Sequence, residues 1–144
     1  LMFVVPEGIS KSLPRGTRAG TRVETPVGLI DLYPTLVNLC GLGKNKALEG
    51  QSLVPLLEDA NAKWERPALT THGRNNHALR TSQWRYIRYA DGSEEIYDHN
   101  ADPNEWTNLA LKNESKAIIK KLSKWLPSQN ANPAQYDKSK TGRK

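Results

Sequence analysis

Hydrophobic and polar positions follow two different periods along this chain. Over residues 31–41, Leu32, Leu36, Leu39 and Cys40 recur at helical spacing, Asp31 stands where an N-cap belongs, Pro34 falls in the first turn and Gly41 supplies the stop. The spacing predicts a helix with its apolar stripe turned inward and the Cys40 thiol buried on it. A second, short helix is predicted after Ser52, with Pro55 early in it and its end before Asn61. The period then shortens. Residues 68–72, 76–81, 84–89 and 94–98 are segments rich in Thr, Tyr, Ile and Trp, divided by Gly73, by Ser82-Gln83 and by Asp91-Gly92. They predict a small antiparallel sheet whose clearest hairpin turns at Asp91-Gly92. Asp102-Pro103 predicts a helical turn through Trp106. Residues 115–126 predict an amphipathic helix, with Ile118, Ile119, Leu122, Trp125 and Leu126 opposite Lys116, Lys120, Lys121 and Lys124.

The two ends read differently. Leu1-Met2-Phe3-Val4-Val5 is apolar on both faces, the pattern of a central strand in a parallel sheet, and such a strand needs neighbours. The chain is therefore expected to be the C-terminal part of something larger, with residues 23–29 as another strand of the same sheet. Residues 8–21, punctuated by Pro and Gly, predict an exposed loop between them. Residues 128–144 hold little that is apolar and predict a disordered basic tail.

Composition narrows the function classes. With 144 residues, 37% apolar and 25% charged, the chain suits one ordinary core, and no apolar run approaches the roughly 20 residues of a membrane span. The lone Cys40 excludes an intrachain disulfide framework and a cysteine-based zinc cluster. The net charge of +6 is split between the ends: four basic residues against Glu7 in 1–22 and four against Asp137 in 137–144, each 4 − 1 = +3, leave residues 23–136 neutral. No basic face for nucleic acid results. The aromatic and basic residues of 84–89 alternate, so they divide between the two faces of a strand and build no stacking platform.

Candidate chemistry is concentrated in one turn. None of His72, His77 and His99 forms a helical metal-binding pair, and Asp98-His99 reads as a loop pair at a strand end rather than a cation site. Thr71-His72-Gly73-Arg74-Asn75-Asn76-His77 gathers two imidazoles, a guanidinium and two amides around one glycine. Arg74 is suited to grip a sulfate, phosphate or carboxylate in bidentate fashion, with His72 and His77 donating to the same anion. A turn of this length is also polar simply by being exposed, and both readings stand.

In order and spacing, several motifs together resemble the C-terminal part of a type I sulfatase. They are Val27-Gly28-Leu29-Ile30-Asp31-Leu32-Tyr33-Pro34-Thr35-Leu36, then Leu39-Cys40-Gly41-Leu42, then Leu48-Glu49-Gly50-Gln51-Ser52-Leu53-Val54-Pro55-Leu56-Leu57. Arg80-Thr81, residues 84–89, Glu95-Ile96-Tyr97-Asp98 and Asp102-Pro103-Asn104-Glu105-Trp106-Thr107-Asn108-Leu109-Ala110 are similar to the closing subdomain of that family, nearest its iduronate-2-sulfatase-like bacterial members.

The resemblance implies an α/β fold, the C-terminal portion of an alkaline-phosphatase-like sulfatase fold, with a small domain of antiparallel sheet plus C-terminal helix. Residues 1–60 would end the large domain, 61–127 would form the small one and 128–144 the tail. It also implies hydrolysis of sulfate esters by a formylglycine made in a Cys/Ser-x-Pro-x-Arg motif, with a bound calcium ion. That motif is not in these 144 residues, Cys40 precedes Gly41-Leu42-Gly43, and Asp98-His99 does not match the family's metal-binding pair. The nucleophile and calcium ligands are thus expected upstream, and the chain alone is expected to be inactive. What it would contribute is substrate selection, by His72, Arg74 and His77 facing a sulfated carbohydrate. The implied partners are that sugar and the N-terminal part of the same enzyme, with no nucleic acid and no membrane. The implied location is periplasmic or secreted. A phosphoesterase of the same superfold and a non-catalytic binding module are the alternatives.

Overall fold

The computed structural model describes residues 13–43 and 45–132; the expected strand at 1–5 and the last twelve residues of the basic tail lie outside the described residues. The chain divides into two compact units, Leu1–Leu69 with Arg80–Trp84, and Thr70–Leu79 with Arg85–Lys144.

In the first unit a 3₁₀ turn at Leu29–Asp31 leads into α1 at Leu32–Leu39, and α2 follows at Val54–Glu58 with proline in its first turn. The contacts that fix this pair are polar. One oxygen of the Asp31 carboxylate accepts the Gly28 backbone N–H at 2.9 Å, and the other accepts that of Gln51 at 2.8 Å. The Thr35 hydroxyl donates to the Asp31 carbonyl at 2.5 Å and accepts the Leu53 N–H at 2.8 Å. Asp31, Thr35 and Leu53 are buried, so the Leu53 amide would otherwise be an orphaned donor. Gly50 passes so close that a Cβ there would lie 2.1 Å from the Ile30 carbonyl oxygen.

This arrangement corrects the expected orientation of α1. The helix forms where the spacing places it, but Leu29, Tyr33 and Leu36 are more than half exposed and Cys40 is exposed as well. The turn that docks in its own unit carries Asp31 and Thr35, whose polar groups are satisfied by the 50–53 backbone; of the expected stripe Leu32 and Leu39 are half-buried, and Leu36 and Cys40 face outward. Residues 23–27 form no strand either. A strand needs a ladder partner, none of the described residues supplies one, and Pro26 has no N–H to offer. This segment instead lines a cleft of about 470 Å³ with Thr17, Arg18, Leu53, Leu56 and Leu57.

The sheet comprises β1 at Ala68–Thr71, β2 at His77–Arg80, β3 at Trp84–Arg88 and β4 at Glu94–Asp98, in the order β1-β2-β3-β4. It is the expected antiparallel meander, lying in the second unit apart from the few strand-end residues that group with the first. Period-2 alternation puts Leu79, Tyr86 and Ile96 on a fully buried face. The outer edge of β4 is capped rather than left open: the Asn108 side chain accepts the Ile96 N–H at 3.1 Å, and the Leu109 N–H donates to the Ile96 carbonyl at 2.9 Å.

The C-terminal helix is shorter than its periodicity suggests. A 3₁₀ turn at Asn113–Ser115, α3 at Lys116–Leu122 and a second 3₁₀ turn at Ser123–Trp125 replace one continuous helix. The tightened last turn buries Leu122 and Leu126 while leaving Trp125 45% exposed. The expected helical turn at 102–106 is absent as well, because Glu105 adopts the left-handed conformation with φ 60°. The Asp102 carboxylate holds the turn instead, accepting the Thr107 N–H at 2.8 Å.

Candidate functional site

The Thr71–His77 turn is closed by the His72 backbone N–H donating to the Asn76 carbonyl at 3.0 Å. Gly73 (φ 70°) and Asn75 (φ 65°) take the positive angles this turn requires, which glycine and asparagine tolerate best. His72 and Arg74 project from it exposed, and Arg74 donates to the Asn132 side-chain oxygen at 3.0 Å. His77 does not join them. It sits on the buried face of β2 with only 3% of its surface exposed, and its Nδ1 pairs with the Thr71 hydroxyl at 2.9 Å. Its Nε2 is buried without a hydrogen-bond partner. Of the three residues singled out, two share an accessible turn and the third lies in the core beneath.

Sequence reasoning missed the wall that faces this turn. In a meander the β1–β2 and β3–β4 turns fall at the same end of the sheet, and here they are joined: the Asn76 side-chain oxygen accepts the Ala90 N–H at 3.1 Å. The second turn is closed by Tyr89 N–H to the Ser93 carbonyl at 2.9 Å, with Gly92 at φ 86°. One oxygen of Asp91 accepts both the Ser93 N–H at 2.9 Å and the Ser93 hydroxyl at 2.7 Å, and these bonds hold its carboxyl below the usual range, hence ionised at neutral pH. Between the turns opens a shallow cleft of about 370 Å³ lined by Asn76, Tyr89, Ala90, Asp91 and Ser93. The Asp91-Gly92 signal was legible as a hairpin; its position beside Arg74's turn follows only from the topology.

The Asp98-His99 pair is occupied by protein contacts. Asp98 accepts the Asn100 N–H at 3.0 Å, and His99 Nε2 lies 2.6 Å from Glu105 Oε1, which also receives Arg85 at 3.2 Å. Glu105 thus joins β3, β4 and the strained turn. On β4, burial and then the bond to Glu95 at 3.0 Å push the Tyr97 phenol up to about 12. Backbone N–H groups, that of Thr107 first, hold Asp102 below its ordinary value. Among the described residues no three His, Cys, Asp or Glu side chains converge as a metal site, and no helix is long and apolar enough to cross a membrane.

A meander sheet followed by a short C-terminal helical segment, and preceded by a helix pair locked through Asp31 and Thr35, is the architecture of the C-terminal portion of an alkaline-phosphatase-like sulfatase fold. The chain belongs to the family described as N-sulphoglucosamine sulphohydrolase, C-terminal, which matches residues 5–132. It is 41% identical over 112 residues to a sulfatase of Formosa agariphila, covering 78% of this chain and 22% of that protein. Against arylsulfatase K of Mus musculus it is 36% identical over 144 residues, covering 85% of this chain and 26% of the other. Among solved structures, one in complex with its substrate D-glucosamine-2-N,6-O-disulfate is similar with 27% identity and a TM-score of 0.53, over 65% of this chain and 22% of that one. The chain therefore spans about a quarter of the length of the relatives it matches.

Proposed function

We propose that this chain is the C-terminal portion of a sulfuric ester hydrolase acting on a sulfated sugar or glycan, and that it selects the substrate rather than performing the chemistry. The family match over residues 5–132 carries this reading. The sulfated sugar bound by the solved relative supports the substrate class, and the iduronate-2-sulfatase-like kinship suggested by the motifs belongs to the same proposal. Sulfate transfer needs a nucleophile, a cation to neutralise the ester oxygens and an acid for the leaving alcohol. In this proposal the formylglycine nucleophile and a calcium ion are held by residues outside these 144, and the enzyme works in the periplasm or outside the cell. The exposed apolar side chains of Leu29, Tyr33 and Leu36 would dock against the N-terminal part of the same enzyme.

Within this chain, His72 and Arg74 are the substrate contacts, the guanidinium fork receiving a sulfate or carboxylate on the sugar. His77 supports them from below through Thr71. The test compares the whole enzyme with its Arg74→Ala and His72→Ala variants on a sulfated oligosaccharide and on 4-nitrophenyl sulfate. Losing a hydrogen bond to a charged group should lower kcat/KM on the sugar about 10- to 150-fold, and the small ester, which has no remote groups to lose, should suffer far less. Equal losses on both esters, or none on the sugar, would overturn this assignment. The 144 residues assayed alone with calcium should turn over no aryl sulfate.

A further inference from the structure

Resting on that reading, the geometry points to a sugar subsite beside Arg74: we propose that the cleft between the two turns, with Tyr89, Asp91 and Ser93 as its working wall, binds an unsulfated pyranose ring through adjacent hydroxyls. The cleft lies at the end of the sheet that carries Arg74, and its volume of about 370 Å³ falls within the range of small-ligand sites. Its chemistry is that of hydroxyl recognition. Both Ser93 bonds fall on one oxygen of Asp91, which fixes the carboxylate in orientation, and in this proposal the second oxygen accepts from a sugar hydroxyl. The half-exposed Tyr89 lines the cleft and supplies an aromatic ring for the apolar side of a pyranose, while its phenol is engaged by Glu95. Asn76 is a positioning residue: its amide is spent on the Ala90 N–H and the Arg74 carbonyl, which fixes the two turns against each other.

Charge separates the two halves of this sheet end. An ionised Asp91 repels a sulfate, whereas Arg74 on the neighbouring turn attracts one, so the cleft selects the unsulfated ring next to a charged one. The arrangement would read a glycan two units at a time, and it makes Asp91 and Tyr89 specificity determinants beyond His72 and Arg74.

The experiment titrates the whole enzyme calorimetrically with a heparin tetrasaccharide and with its fully desulfated counterpart, in the wild type, Asp91→Asn, Tyr89→Leu and Arg74→Ala. Asp91→Asn and Tyr89→Leu should weaken both sugars about tenfold, Arg74→Ala should weaken chiefly the sulfated one, and Ser82→Ala on the opposite turn should change neither. Hydrogen exchange of the wild type needs no variant: amides of residues 89–93 should slow when the desulfated sugar is added. Unchanged affinity in both cleft variants, or no slowing at 89–93, would overturn the proposal. An enzyme that binds both sugars through Asp91 yet releases sulfate from no ester would sink the hydrolase reading and leave the subsite standing.

Discussion

The Thr35 hydroxyl accepts the backbone N–H of Leu53 at 2.8 Å across eighteen residues of chain, while its own proton goes to the Asp31 carbonyl. Both groups are buried, so a side chain of the same shape without the oxygen leaves an amide unsatisfied. Thr35→Val should cost about 1–3 kcal/mol in chemical denaturation, and Thr35→Ser, which keeps the hydroxyl, clearly less. Equal costs for the two would show that the methyl rather than the hydroxyl matters.

Gly50 makes the same junction sensitive to a single carbon. A Cβ there would meet the Ile30 carbonyl oxygen at 2.1 Å, and that oxygen belongs to backbone that cannot rotate away. Gly50→Ala should therefore be among the most destabilising substitutions in the first unit, about 3 kcal/mol or more. A variant that melts like the wild type would mean the 48–52 segment is free to move off α1.

Glu105 reverses the usual order of alanine and glycine. Its φ of 60° strains any side-chain-bearing residue, and its carboxylate receives both Arg85 and His99. Glu105→Ala loses the bonds and keeps the strain, whereas Glu105→Gly loses the bonds but relieves the backbone by roughly 1 kcal/mol. Glycine should thus be the more stable of the two by thermal melting. Alanine proving more stable would deny the strain.

Tyr97 sets an alkaline limit. Its phenol is raised from 10.0 to about 12 by burial and by donating to Glu95. A group whose folded value is raised contributes stability that is complete below its unfolded value and is lost as pH climbs through the folded one. Stability from this group should hold to about pH 10 and fall between there and pH 12, and Tyr97→Phe should flatten that fall. Phenolate absorbance followed alongside unfolding measures it.

What the sequence made legible was local. The β4 boundaries, the Asp91-Gly92 turn and the placement of α1 all follow from period and turn chemistry between near neighbours. The orientation of α1 did not, because a stripe of leucines reads as inward-facing, whereas here Asp31 and Thr35 dock on a backbone eighteen to twenty residues away. Glu105 was invisible for a related reason: its conformation is imposed by partners on β3 and at the end of β4, against its own preference. The site was half legible. Residue chemistry singled out the Thr71–His77 turn, but only the meander brings Tyr89, Asp91 and Ser93 beside it.

His77 is where residue type and topology part most clearly. An imidazole in a polar turn invites a ligand-binding role, yet position in β2 turns it to the core, where Nδ1 meets Thr71 and Nε2 is buried without a partner. A buried polar atom left unpaired costs stability, and replacing a polar pair by apolar groups of similar shape is close to neutral. His77→Phe removes the unpaired buried Nε2 and gives up only a bond to Thr71, an exposed residue whose hydroxyl water can serve, so it should match or exceed wild-type stability. The double variant Thr71→Val with His77→Phe should differ little from it, so that a double-mutant cycle shows a coupling below about 1 kcal/mol. The same double variant, once shown to be folded, decides the functional question for this residue. Retained kcat/KM on a sulfated oligosaccharide would make His77 a structural support for the turn above it. A large loss on the sugar at undiminished stability would return the imidazole to the substrate contacts beside His72 and Arg74.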